Sequence, residues 1–338
     1  MTQLTSDPQA AGPPPVETTA VLTATRPGRS LPELAGLLVV LVVLIGFFAW
    51  RSPYFFNVDN FLNILTAIAV TGIIAMPGTM LLVSAQVDLS VGSAAAFCGV
   101  VLAVVAESSG LAAGVLVALL AGLALGVANG FLVTVVKVNA LITTLGTLAV
   151  LRGFTQLTAD GQTVLLGIGF GWLGTARPLG IPLPVILLAV VVAASFVAMR
   201  YTVFGRSLYA IGANAAAARL VGIRNRAVIF AAFVLSGLAA CLAGLILTSQ
   251  LSAASPIAAS GLELSVITAI VLGGASLSGG RGSVGGTIVG LVIIGVLNNG
   301  LILLNVNTFW QDIARGSLLI LAVSFDQLRQ RLQPNTRG

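Results

Sequence analysis

Residues 111–135, LAAGVLVALLAGLALGVANGFLVTV, decide the fold of this chain, because the whole stretch carries no charged side chain. A helix needs about 20 apolar residues to cross the roughly 30 Å hydrocarbon core of a bilayer. Apolar and polar residues do not alternate here, as they would in a strand of a membrane barrel. Because lipid offers no hydrogen bonds to the backbone, the stretch predicts a transmembrane α-helix.

The composition extends this conclusion to the rest of the chain. Of the 338 residues, 57% are hydrophobic and 8% are charged, and the mean hydropathy is +1.08. A soluble domain of this size needs far more surface charge. The 39 glycines also fit, since small residues let membrane helices approach closely. We therefore expect an all-α polytopic membrane protein of about ten transmembrane helices, near residues 34–50, 61–83, 92–106, 111–135, 139–157, 184–200, 228–249, 263–277, 284–303 and 312–326.

The basic residues predict the orientation, because cytoplasmic loops of membrane proteins carry an excess of Lys and Arg. With the N-terminus inside, twelve of the sixteen fall on the cytoplasmic side: Arg26, Arg29, Lys137, Arg200, Arg206, Arg219, Arg224, Arg226, Arg281, Arg329, Arg331 and Arg337. Only Arg51 and Arg177 fall outside, and Arg152 and Arg315 lie within spans. This distribution predicts an even number of spans with both termini in the cytoplasm.

Three regions follow from this arrangement. Residues 1–33, rich in Pro, Thr and Ala, predict a disordered cytoplasmic tail. Residues 34–326 form the predicted transmembrane domain, and residues 327–338 a short cytoplasmic tail. The first apolar run begins too far from Met1, and is too long, for a signal peptide.

The chain lacks the residues that several classes of function require. The chain has no histidine and two distant cysteines, Cys98 and Cys241, which argues against a zinc site and predicts small core residues. One lysine and scattered arginines without aromatic platforms argue against nucleic-acid binding. No nucleophile, base and acid are grouped, so we expect no catalytic residues, no metal and no enzymatic activity in this chain.

A polar interruption at residues 87–92, VDLSVG, predicts a broken or re-entrant helix. Burying an acid such as Asp88 between apolar runs is costly, so it either lines a pathway or serves as N-cap of the next helix. Uncharged amides and hydroxyls within spans could hydrogen-bond an uncharged polyol, or could only join helices. The candidate pathway residues are Asp88, Ser90, Asn129, Gln250, Ser265, Asn298 and Asn299.

A basic loop, Phe204–Arg226, lies between two predicted spans and reads FGRSLYAIGANAAAARLVGIRNR, with four arginines and no acid. We expect Gly205-Arg206 to end the preceding helix and residues 209–214 to form a turn. An alanine-rich helix over 215–221, stopped by Gly222, should follow. The loop is either a short helix across the cytoplasmic face or a solvated segment that touches only lipid headgroups.

This loop resembles the cytoplasmic coupling segment of ribose-type ABC importer permeases, the branch that includes xylose, arabinose and galactose permeases. Three more stretches resemble the same family: residues 87–93 (VDLSVGS), 271–287 (VLGGASLSGGRGSVGGT) and 295–301 (GVLNNGL). The similarity extends from about residue 36 to residue 326. By this resemblance, the residues that couple to the ATPase are Gly205, Arg206, Gly212, Asn214, Ala217, Ala218, Arg219 and Gly222.

The resemblance implies a permease subunit of the bacterial cytoplasmic (inner) membrane that imports a monosaccharide or polyol. Its partners would be a second copy of itself, the lipid bilayer, an ABC ATPase with two nucleotide-binding domains, and a periplasmic-type sugar-binding protein. The ATPase would use ATP and Mg, and this chain would bind no cofactor.

The chain departs from the family at one position. Ala216 stands where the coupling motif commonly has glutamate, so coupling here would depend on helix shape and on Asn214 and Arg219. Two alternatives stay open: a permease of the same superfamily for another small solute such as an amino acid, and an ATP-independent secondary carrier.

Overall fold

The computed structural model describes residues 31–166 and 168–332. The predicted tails, 1–33 and 327–338, lie largely outside these ranges. The first helix begins at Leu31 and the last extends to Leu332, so both reach past the predicted ends of the transmembrane domain, and the division into domain and tails stays a prediction. Pro32 lies in the first turn of α1, where proline is tolerated, and residues 327–332 contain no glycine or proline to stop the last helix.

The described part of the chain is almost entirely helical. The helices are α1 (Leu31–Arg51), α2 (Val58–Val83), α3 (Val91–Ser109), α4 (Leu111–Phe131), α5 (Ala140–Thr158), α6 (Trp172–Thr175), α7 (Leu183–Tyr201), α8 (Val203–Ala213), α9 (Ala215–Leu220), α10 (Asn225–Leu251), α11 (Leu262–Leu272), α12 (Val284–Leu303) and α13 (Thr308–Leu332). The two-residue strands β1 (Val164–Leu165) and β2 (Ala253–Ala254) pair antiparallel. A π-turn, Leu132–Val136, continues α4.

Seven of the described helices are long and apolar enough to cross a membrane: α2, α3, α4 with its π-turn, α5, α7, α10 and α12. An apolar part of α1, Ala35–Arg51, is shorter, as is α11. Every predicted span overlaps a helix, which supports the all-α, polytopic fold, while the count of ten remains a prediction. The predicted span 263–277 is too long, because α11 ends at Leu272, just before Gly274 adopts a φ of +82°.

Helix α10 lies at the centre of the bundle and packs against α2, α3 and α4. Glycine makes the closest of these contacts possible. A Cβ atom added at Gly237 would lie 2.7 Å from the Gly126 nitrogen and 2.8 Å from its Cα atom, so the backbones of α10 and α4 touch. Cys98 and Cys241 are buried in this region as free thiols, as expected for small core residues.

Helix α3 begins inside the bundle. Its neighbours on α10 are Gly244, which abuts Ala95, and Thr248, which abuts Gly99, so the two helices are parallel and α3 starts beside the middle of α10. The non-helical residues Ser84–Ser90, here named the linking segment, join the end of α2 to this start. The helix break predicted near residues 87–92 is therefore confirmed.

Helix α11 also begins beside this point, because its Glu263 carboxylate packs against Gly92 in the first turn of α3. With a length of about 16 Å, eleven residues reach only about half of a hydrocarbon core. The N-terminal ends of two helices thus meet within the bundle, each preceded by non-helical chain. Broken helices of this kind commonly form sites in transporters, since their free backbone groups can face a polar cavity.

Candidate coupling surface and polar cluster

A sharp corner joins α7 to α8. Thr202 lies at the corner, and its hydroxyl accepts a hydrogen bond of 3.2 Å from the Gly205 amide. A side chain at Gly205 would overlap the backbone of Met199 in the last turns of α7. The glycine is therefore required for α8 to fold back tightly against α7.

Helix α8 packs into the bundle through its backbone. A Cβ atom at Gly212 would overlap the carbonyl oxygen of Val83 and would lie 2.5 Å from the Gly280 nitrogen. Gly280 itself donates a 2.8 Å hydrogen bond to the same Val83 carbonyl. Leu208 is completely buried on this face. Helix α8 thus contacts both the end of α2 and the turn between α11 and α12.

A second contact fixes α8 to that turn. The Tyr209 hydroxyl donates a 2.8 Å hydrogen bond to the Gly282 carbonyl. Burial raises the pKa of Tyr209, while the nearby Arg200 lowers it to a smaller extent. The phenol therefore stays protonated and remains a donor at neutral pH.

Helix α9 stands out from the bundle. The Asn214 carboxamide caps it, accepting 3.0 Å hydrogen bonds from the Ala216 and Ala217 amides. Only Ala218 is buried, whereas Leu220 is 90% exposed beside the exposed Arg219. Gly222 follows with a φ of +86°, in the left-handed region that favours glycine. Helix α8, which is held by backbone contacts, therefore carries a short helix whose Arg219 and Leu220 side chains are exposed.

Two predictions for this loop were wrong. Gly205 and Arg206 do not end the preceding helix, because α7 stops at Tyr201 and both residues lie within α8. Residues 209–213 are helical rather than a turn, and the break comes at Asn214. Two glycines weaken a helix by about 1 kcal/mol each, but backbone packing at Gly205 and Gly212 compensates. The alanine-rich helix ending before Gly222 was predicted almost correctly.

The turn between α11 and α12 is rich in glycine. Gly274, Gly279, Gly280 and Gly282 all have positive φ, and Arg281 is exposed.

A polar cluster surrounds the start of α3. One oxygen of Asp88 accepts hydrogen bonds from the Ser90 amide at 3.0 Å and hydroxyl at 2.6 Å. Its other oxygen accepts a 2.7 Å hydrogen bond from Ser236 of α10. Asn129 of α4 donates to the Ser90 hydroxyl at 2.9 Å and accepts from Thr147 of α5 at 2.7 Å. The cluster therefore joins the linking segment to three helices, α10, α4 and α5.

Asp88 is not the N-cap of α3, so that alternative was wrong. Ser90 occupies the N-cap position and its side chain makes no capping bond to the helix. The Asp88 carboxylate instead accepts the amide of Ser90 itself. Asp88 remains partly exposed, whereas Ser90, Asn129 and Ser236 are buried.

The other predicted pathway residues lie elsewhere. Gln250 packs against Gly174 of α6, and the Ser265 hydroxyl donates to the Gly261 carbonyl at 3.2 Å. Asn299 donates a 2.8 Å hydrogen bond to Asn60 of α2, and the buried Oδ1 atom of the neighbouring Asn298 has no hydrogen-bond partner among the described residues. Hydrogen bonds therefore join Asp88, Ser90 and Asn129, whereas the hydrogen bonds described for Ser265 and Asn299 go to other residues.

Sequence reasoning missed three members of these sites. Ser236 and Thr147 complete the polar cluster, and Tyr209 fastens α8. A single hydroxyl in an apolar helix is common, so nothing in the sequence distinguished Ser236 or Thr147 from other serines and threonines. Tyr209 stood within the quoted basic loop, but it was assigned to a turn.

Comparison with known proteins identifies a set of similar permeases. Residues 60–323 match the family model described as branched-chain amino acid transport system / permease component. The ribose import permease protein RbsC of Escherichia coli (strain K12) is 41% identical over 302 residues, which cover 87% of this chain and 93% of RbsC.

Two arabinose permeases are similar as well. The L-arabinose ABC transporter permease protein AraH of Azospirillum brasilense is 36% identical over 325 residues, covering 96% of each chain. The L-arabinose transport system permease protein AraH of Escherichia coli (strain K12) is 39% identical over 303 residues, covering 88% of this chain and 91% of that protein. No solved structure matches the chain.

Proposed function

The chain belongs to the permease family that the branched-chain amino acid transport model describes, and on that premise we propose that it is the membrane subunit of an ATP-driven importer of a monosaccharide or polyol. Sequence identity of 36–41% to ribose and arabinose permeases over most of the chain supports a sugar as the substrate. The chain is a transport subunit rather than an enzyme. A separate ABC ATPase with two nucleotide-binding domains would hydrolyse ATP with Mg, and this chain would bind no cofactor.

The observation that carries this proposal is the contrast between α8 and α9. Helix α8 is fixed to α2 and to the turn before α12 by backbone contacts, so it moves only with them. Helix α9 presents Leu220 and Arg219 to solvent. Fully burying a leucine contributes roughly 1.5–3 kcal/mol, enough to anchor a partner surface. We therefore assign α8 and α9 together as the coupling element that docks on the ATPase.

The orientation is part of the same proposal. The excess of basic residues on one side supports a multi-pass protein of the bacterial inner membrane with both termini in the cytoplasm. In that orientation α9 would lie on the side where ATP is available. The opposite side would receive sugar from a periplasmic-type binding protein.

The translocation pathway would pass the polar cluster and lie near the axis between two copies of the chain. Asp88 is partly exposed within the bundle, and hydroxyls and amides surround it. Such groups can exchange hydrogen bonds with a sugar without holding it tightly. Weak sites suit a permease, because the solute must leave as readily as it enters.

Reconstitution tests this proposal. The permease, its ATPase and its binding protein are assembled in liposomes, and uptake of labelled ribose, arabinose, xylose and leucine is measured. We expect uptake of one sugar that requires ATP and the binding protein. ATP-independent uptake by the purified chain would show a secondary carrier, and ATP-driven uptake of leucine alone would show an amino-acid permease.

A surface variant tests the docking assignment separately. Replacing Leu220 with serine should weaken co-purification with the ATPase about tenfold, the scale of losing one buried leucine. Arg177→Ser, on the predicted outer side, is the matched control. Equal recovery of the ATPase with both variants would exclude α9 as the docking surface.

A further inference from the structure

The linking segment connects the coupling element to the interior. Val83, the residue of α2 directly before the segment, accepts the Gly280 hydrogen bond at its carbonyl oxygen and packs against the Gly212 backbone of α8. The chain then turns at Ala85, whose φ is +59°, and passes into the bundle without forming a helix. Because α8 packs directly on the Val83 backbone, without an intervening side chain, α8 cannot move towards it without displacing it.

The far end of the segment is held by Asp88. Its two carboxylate oxygens accept three hydrogen bonds, two from Ser90 and one from Ser236. Because Ser90 belongs to the linking segment, its two bonds hold the shape of that segment. The bond from Ser236 attaches the segment to α10.

From Ser90 the contacts spread to two more helices. Asn129 of α4 donates to the Ser90 hydroxyl, and Thr147 of α5 donates to Asn129. Each of these side chains is hydrogen-bonded to a specific partner. If the linking segment moves, we expect these bonds to break and new ones to form. Coupling through proteins requires contiguous packed and hydrogen-bonded elements of this kind.

We propose that Asp88 is a positioning residue that fastens the linking segment to α10, so that movement of α8 at the ATPase rearranges the polar cluster inside the bundle. This inference rests on the proposed function, because α8 must first respond to the ATPase. This role differs from lining the pathway, because Asp88 would hold the linking segment in place whether or not it touches the sugar.

The test uses the complete transporter in lipid nanodiscs and liposomes. Asp88→Ala removes all three hydrogen bonds, and Ser236→Ala removes one while keeping the carboxylate. Glu107→Ala replaces an exposed acid at the other end of α3 and is the matched control. Three quantities are measured: recovery of the ATPase, sugar transported per ATP hydrolysed, and hydrogen exchange of residues 203–213 and 84–95 with and without nucleotide.

We expect Asp88→Ala and Ser236→Ala to bind the ATPase normally and to hydrolyse ATP. Transport per ATP should fall about tenfold for the loss of the carboxylate and about threefold for the loss of one bond to it. In the unmutated protein, nucleotide should change exchange in both segments. In the Asp88→Ala variant, only residues 203–213 should respond, and Glu107→Ala should behave as the unmutated protein.

A nucleotide response of residues 84–95 that survives in both variants would overturn the inference. So would a loss of hydrolysis and transport in equal proportion, because that pattern indicates a purely structural carboxylate. If the Asp88→Ala variant does not fold, the Ser236→Ala variant tests the inference through the same two measurements, the hydrogen exchange of residues 84–95 and the transport per ATP hydrolysed. The proposed function fails instead if residues 203–213 of the unmutated protein do not respond to the ATPase at all.

Discussion

The backbone of Gly212 in α8 lies directly against the carbonyl oxygen of Val83 at the end of α2. No side chain fits between them, since a single Cβ atom would overlap that oxygen. The nearest atoms are main-chain atoms and cannot rotate away. The contact therefore sets the position of α8 relative to the bundle.

Replacing Gly212 with alanine should displace α8. We expect assembly with the ATPase to fall about tenfold, corresponding to about 1.4 kcal/mol, because either α8 or the end of α2 must shift. Co-purification and sugar uptake measure the effect. Gly285→Ala is the matched control, since a Cβ atom there meets no atom within 4 Å. Normal assembly of the Gly212→Ala variant would show that the contact can open without consequence.

Replacing Asn214 with alanine should unwind α9 by removing its N-cap. Loss of such a cap costs about 1 kcal/mol, so ATPase binding should weaken about fivefold. Asn214→Asp, which retains the accepting oxygen, should restore binding. If the aspartate and alanine variants bind equally weakly, the amide contacts the ATPase directly and the cap is not the cause.

The pair Asn60–Asn299 provides a test that separates packing from transport. Each single replacement by leucine leaves the other amide without its partner, at a cost of about 1–3 kcal/mol. The two losses should therefore not add in the double variant. We expect lower thermal stability and unchanged sugar uptake per folded molecule. Reduced uptake by correctly folded Asn299→Leu protein would instead assign Asn299 to the pathway.

Replacing Gly237 with alanine should separate α10 from α4. The added methyl group would meet the backbone of Gly122 and Gly126, so we expect a loss of folded protein comparable with overpacking a core, about 1–3 kcal/mol. Thermal melting followed by size-exclusion chromatography measures this change. Gly46→Ala in α1 meets no atom within 4 Å and should melt like the unmutated protein.

The sequence predicted the helices well because lipid imposes a simple requirement on them. Long apolar runs without charge have no other way to satisfy their backbone, so helix positions follow from composition alone. The predicted span 263–277 was too long. Helix α11 does not cross the whole bilayer core, and a helix of this kind can end wherever the surrounding protein supplies hydrogen bonds. The turn assigned to residues 209–214 failed for a related reason: packing against Val83 and Gly280 outweighed the weak local propensity.

The candidate site was only partly predictable. Asp88, Ser90 and Asn129 stood out as polar residues in apolar surroundings, and the structure brings them together. Gln250, Ser265, Asn298 and Asn299 had the same local signature, yet they pack elsewhere. A polar residue in an apolar helix has a recognisable cost, but its sequence neighbours do not show which helix faces it.

The sequence by itself determined an all-α membrane protein, a basic loop, a break before α3 and a family resemblance, because these depend on composition and local pattern. Only the tertiary structure decided that Gly212 abuts Val83 and that Asp88 joins Ser236, 148 positions away. Those contacts depend on where helices cross. Crossing points are set by small residues and by complementary polar groups on several helices at once, which no single stretch of sequence contains.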